Sequence, residues 1–66
     1  MIDEILFWHL DTARIWLKEK GKPHIEVIEG NFTYAFPKGK DVFECPILYI
    51  ENGLIIAIEE YEDFSL

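Results

Sequence analysis

A chain of 66 residues, half of them hydrophobic and carrying a formal net charge of −7, has room for a single domain and a small core. Two Trp, three Tyr and five Phe argue against a disordered tail, and no apolar run reaches the roughly 18 residues of a membrane span. The acid excess disfavours direct binding of nucleic acid, where affinity rests largely on neutralising phosphates.

Charge is distributed unevenly. Residues 1–40 balance Asp3, Glu4, Asp11, Glu19, Glu26 and Glu29 against Arg14, Lys18, Lys20, Lys22, Lys38 and Lys40. Residues 41–66 hold Asp41, Glu44, Glu51, Glu59, Glu60, Glu62 and Asp63 and no base, so the whole net charge lies there. A lone Cys45 permits no intramolecular disulfide. With an acidic start at Asp3 and Glu4, unlike a signal peptide, this points to a cytoplasmic setting. The absence of Gln, the single Ser and the abundance of Glu, Lys and Ile resemble thermophile composition.

The spacing predicts a helix over 3–20. Asp3 suits its N-cap, Lys18 and Lys20 suit the negative end of its dipole, Gly21 suits C′, and Pro23 forbids continuation. Ile2, Ile5, Leu6, Leu10, Ala13, Trp16 and Leu17 share the core face. Trp8 and Ile15 are seven apart on the opposite side, and they suggest a stripe for a partner or a second subunit.

Two short strands follow, over 24–29 and 32–36, around a Gly30-Asn31 turn. That turn sets Ile25 opposite Phe36, Val27 opposite Tyr34 and Glu29 opposite Phe32, giving one apolar and one mixed face. Residues 37–41 read as a loop, 42–51 as a third strand and 54–61 as a fourth, joined by Asn52-Gly53. Pairing across Asn52-Gly53 runs Glu51–Leu54, Ile50–Ile55, Tyr49–Ile56, Leu48–Ala57 and Ile47–Ile58. Leu48, Ile50, Ile55 and Ala57 then share one face, and Ile47, Tyr49, Leu54, Ile56 and Ile58 the other. Pro46 should end pairing with the second strand, leaving a hairpin that projects with two apolar faces and needs a cover.

Chemistry-bearing constellations are sparse. His9 and His24 would need an acid such as Asp11 or Glu26 to build a metal site, and their spacing matches no ligand motif. Cys45 lies among acids in an expected strand, which suits a buried structural thiol better than a nucleophile. No serine elbow or phosphate-binding glycine loop is present, so no catalytic residue, cofactor or metal is expected.

The expected fold is α+β, a single domain over 1–66 in which an N-terminal amphipathic helix packs on a four-stranded antiparallel β-meander, in the order α-β-β-β-β. The expected function is a non-enzymatic interaction or accessory module, homo-oligomeric through the C-terminal hairpin. Trp8, Ile15, Leu48, Ile50, Ile55 and Ala57 are its candidate interface. The alternative is an acidic inhibitor or antitoxin-like regulator that presents Glu59, Glu60, Glu62 and Asp63 to a basic protein, for example one that binds nucleic acid. Neither reading involves direct contact with nucleic acid or membrane.

Overall fold

The computed structural model describes residues 2–35 and 45–60. They form a 3₁₀ turn at Ile2–Ile5, helix α1 at Leu10–Glu19, and strands β1 (His24–Ile28), β2 (Asn31–Ala35), β3 (Ile47–Glu51) and β4 (Leu54–Glu59). The α+β class stands, but the meander does not. Strand order is β2-β1-β3-β4, with β1 and β3 parallel and the other two pairs antiparallel. The expected loop at 37–41 and the start of the third strand at 42–44 lie outside the described residues.

The composition of β1 explains the mixed sheet. In His-Ile-Glu-Val-Ile the first four residues are fully buried and the fifth partly so. A strand buried on both faces belongs in the middle of a sheet, whereas a meander would leave it at an edge. Ile25 donates its N–H to the Pro46 carbonyl and Glu29 to the Ile50 carbonyl, bracketing the parallel ladder. Pro46 therefore stands just ahead of β3, where it accepts a bond and is never asked to donate one.

The first hairpin turns at Glu29-Gly30 rather than Gly30-Asn31. Both residues have positive φ, 49° and 83°, as a two-residue type I′ turn requires. Ile25 therefore faces Tyr34, and Val27 faces Phe32. The register slips by two residues from expectation, and a two-residue slip keeps each side chain on its own face.

The second hairpin turns at Asn52-Gly53 as expected, with φ of 52° and 78°. Glu51 and Ile50 pair with Leu54 and Ile55, but a β-bulge then intervenes. Tyr49 faces Ala57, Leu48 faces Ile58 and Ile47 faces Glu59. The extra residue moves Ile58 to the Leu48 side and Ala57 to the Tyr49 side, opposite to the unbulged reading.

The expected helix over 3–20 is broken. Its first residues form the 3₁₀ turn, and Phe7 takes φ 69°. Residues 7–10 then run beside β4: Phe7 N–H donates to the Ile55 carbonyl, Ile55 N–H to Trp8, and Leu10 N–H to Gly53. His9 becomes the extended N-cap of α1. The helix ends as read, with Gly21 at φ 65°, its N–H on the Lys18 carbonyl and the Lys22 N–H on Leu17, a Schellman arrangement.

Both parts of the broken helix feed one core. Ile2, Ile5, Leu10, Ala13 and Leu17 pack with Leu48, Ile50 and Ile55, flanked by Ile28 and Ile58. The hairpin therefore does not project bare, because the chain's own N-terminal segment covers it. On the other face Ile25, Val27, Cys45 and Ile47 form a second buried cluster, with Tyr49 against it.

The bulge makes neighbouring isoleucines unequal. Ile55→Ala should cost about 2–5 kcal/mol in urea unfolding, as for a buried large-to-small change. Ile56→Ala, at a position 42% exposed, should cost about 1 kcal/mol or less.

Candidate functional site

One polar cluster lies beneath α1. Arg14 projects from the helix among Leu10, Ala13 and Leu17, toward the β1 face that carries His24 and Glu26. Its Nε donates to Glu26 Oε2 at 2.9 Å and its Nη2 to Glu26 Oε1 at 2.6 Å, a two-pronged pair. His24 Nε2 lies 2.7 Å from Glu26 Oε2, and the Thr33 hydroxyl donates to the Glu26 carbonyl at 3.2 Å. Glu26 is 2% exposed and His24 5%, whereas about half of the Arg14 side chain meets solvent beside Asp11.

The electrostatics follow from the partners. Hydrogen bonding from Arg14 outweighs burial and, with the bond to His24, holds the Glu26 carboxyl below the usual carboxylate range. An ionised carboxylate can only accept, so His24 donates to it from Nε2. A carboxylate-oriented imidazole is the arrangement that prepares a general base. Here, however, Nδ1 is buried and has no hydrogen-bond partner among the described residues. An open cavity of about 250 Å³ is lined by Ile2, Lys22, Pro23, Pro46 and Glu60, and His24 is not among its walls. The cluster fastens α1 to the sheet.

Sequence reasoning named His24 and Glu26 only as potential metal ligands and overlooked Arg14. A signal was present: Arg14 borders the core stripe, one turn after Leu10, where an arginine stem can lie against the sheet while its head stays near solvent. Among the described residues no group of three or more His, Cys, Asp or Glu is positioned to hold a metal. His9 is exposed and bridges Leu54 through its backbone, and Cys45 is buried.

The candidate interface residues are scattered. Leu48, Ile50 and Ile55 are buried under the N-terminal segment, while Ala57 is exposed. Trp8 precedes α1 and is half-buried, meeting Trp16 edge-on with ring centroids 6.2 Å apart. Ile15 is exposed on the helix, so the two do not form one helical stripe. Glu59 and Glu60 are exposed, with Glu59 accepting a 2.6 Å bond from the Tyr49 hydroxyl. Glu62 and Asp63 lie outside the described residues.

Two exposed apolar residues, unforeseen as a pair, belong to backbone segments that meet at the β4 edge. Phe7 is 68% exposed and bonded through its N–H to the residue preceding Ile56, which is also exposed at the bulge. A phenylalanine at positive φ costs of order 1 kcal/mol or more, and the main-chain bonds to β4 hold it there.

Family models, curated proteins and solved structures yield no match to this chain. Among the described residues no helix is long and apolar enough to cross a membrane.

The polar cluster makes two predictions. Arg14→Ala should destabilise the fold by about 2–4 kcal/mol, because it leaves the Glu26 charge buried with His24 alone, while Arg14→Met with Glu26→Leu should recover most of the loss. Since the Glu26 pKa is depressed on folding, its contribution is complete above its unfolded value and is lost as pH falls through the folded one. Thermal melts of Glu26→Gln should therefore depend less on pH than the wild type across the acidic range.

Proposed function

We propose that the chain is a non-enzymatic protein–protein interaction module that assembles with copies of itself through the outer side of its C-terminal hairpin. The exposed strip of Phe7 and Ile56, with Ala57 beside them, carries the reading. Leu48, Ile50 and Ile55 are already covered by the chain's own helix, which leaves the hairpin's exposed positions for contact. A body this small has few ways to hide its apolar residues, and exposed aromatic and aliphatic side chains gathered at one place mark contact surfaces. Holding Phe7 outward in a strained backbone favours the same conclusion. A cytoplasmic setting accords with a single cysteine, Cys45, which permits no intramolecular disulfide.

A second reading draws on the rim of that strip, where Glu51, Glu59 and Glu60 are exposed and no base follows Lys40. Such a rim suits a basic, nucleic-acid-binding protein held as an inhibitor or antitoxin holds its target. Capture of that kind should weaken steeply as salt rises.

Sedimentation velocity at micromolar concentration tests the first reading. The wild type should sediment as an oligomer, and Ile56→Glu should yield a smaller, folded species. A wild-type monomer, or an oligomer indifferent to Ile56→Glu, refutes the hairpin contact. Pull-downs at low and high salt test the second, which fails if no salt-sensitive basic partner is retained.

A further inference from the structure

We propose that a second self-contact lies at the opposite end of the sheet, where β2 pairs antiparallel with β2 of another copy about a two-fold axis. The proposal rests on the reading of the chain as a self-associating module but uses a different surface.

The two ends of the sheet are treated differently. At the β4 end, residues 7–10 occupy the backbone around Gly53 and Ile55, and a bulge distorts the strand beyond. Covering and bulging are two of the ways in which proteins blunt an edge against pairing. At the other end β2 is the terminal strand among the described residues, and its sequence carries none of the usual sequence devices. Asn31-Phe32-Thr33-Tyr34-Ala35 contains no lysine, no proline and no charge of either sign. Phe32 is 66% exposed on the face away from α1.

Charge chooses the occupant. Two copies of a chain at −7 repel each other, and like charges placed directly opposite weaken a strand pair. His24 and Glu26 lie in β1, Glu51 in β3 and Glu59 in β4, so β2 alone of the described strands has no acid or base to set against itself. A strand of this kind is suited to meeting its own copy.

The backbone supplies the register. Ile28 and Asn31 flank the two-residue turn and form its hydrogen-bonded pair, as Glu26 and Thr33 do next along the ladder. The N–H and C=O groups of Phe32 and Tyr34 therefore point to the outer edge. An axis through Thr33 places Phe32 of one copy opposite Tyr34 of the other, so that each exchanges both main-chain bonds with its counterpart. Thr33 faces Thr33, an uncharged pair that sheets accept. The row Phe32, Val27, Tyr49, Ala57, set by the observed registers, then continues across the axis into a second sheet.

Phe32→Lys tests the contact, since it sets a lysine at an edge where natural sheets use one to block pairing. The position is exposed, so the fold should tolerate the change, as far-UV circular dichroism will show. Sedimentation equilibrium of the wild type, Phe32→Lys, Ile56→Glu and the double variant should give a weaker association constant for Phe32→Lys by about tenfold or more, and a monomer for the double variant. Loss with Ile56→Glu alone removes the β2 contact and keeps the hairpin; loss with Phe32→Lys alone does the reverse. A monomeric wild type removes both. Should Phe32→Lys unfold, amide exchange on the wild type decides the matter. Exchange of the Phe32 and Tyr34 amides should slow as protein concentration rises, and rates independent of concentration overturn the proposal.

Discussion

The parallel pairing of β1 with β3 is the constraint on which the rest of the molecule depends. It places β1 in the middle of the sheet, so its side chains must be covered on both faces. On one face the cover is the N-terminal segment, which meets Leu48, Ile50 and Ile55 of the C-terminal hairpin. On the other, Ile25 and Val27 gather Cys45 and Ile47 into a second cluster. Two thin cores on a four-stranded sheet are what a chain this short can build, and among the described residues Phe7, Phe32 and Ile56 are left exposed at the sheet and Ile15 on the helix.

The buried ion pair is a consequence of the same arrangement. Once β1 is central, alternation sends His24 and Glu26 beneath α1, into the space an apolar pair might have filled. Arg14 reaches down from solvent to meet Glu26, keeping its own stem on the core stripe. A buried pair is seldom more stabilising than well-packed hydrophobic residues. Its directional bonds join one position of the helix to one position of β1. That specificity matters in a core where many isoleucines and leucines could interchange neighbours.

The irregularities lie together. Phe7 adopts positive φ, the helix restarts at Leu10, and β4 bulges after Ile55, all along one edge. They accompany the backbone pairing of residues 7–10 with the tip of the hairpin. That pairing satisfies polar groups of β4 that would otherwise be exposed, and it turns Phe7 outward next to Ile56. A device that closes the edge to strand pairing thus gathers an apolar strip, whereas the β2 end keeps a neutral strand.

Local chemistry in the sequence determined the elements that depend on a few neighbouring residues. Asn52-Gly53 turns as read because positive φ at both positions is a local demand, and Gly21 ends the helix for the same reason. The inward side of residues 2–17 was also legible, because Ile2, Ile5, Leu10, Ala13 and Leu17 face the core whether or not the helix is continuous. Only the tertiary structure decided the strand order, the break at Phe7, the bulge and the Arg14–Glu26–His24 cluster. Each depends on a partner distant in the chain: β3 for β1, Gly53 and Ile55 for residues 7–10, and Glu26 for Arg14. Periodicity reports which side of an element is apolar, but it is silent on which neighbour lies against that side. The same hairpin therefore read as bare on two faces in the sequence and stands covered on one by the chain's own helix in the fold.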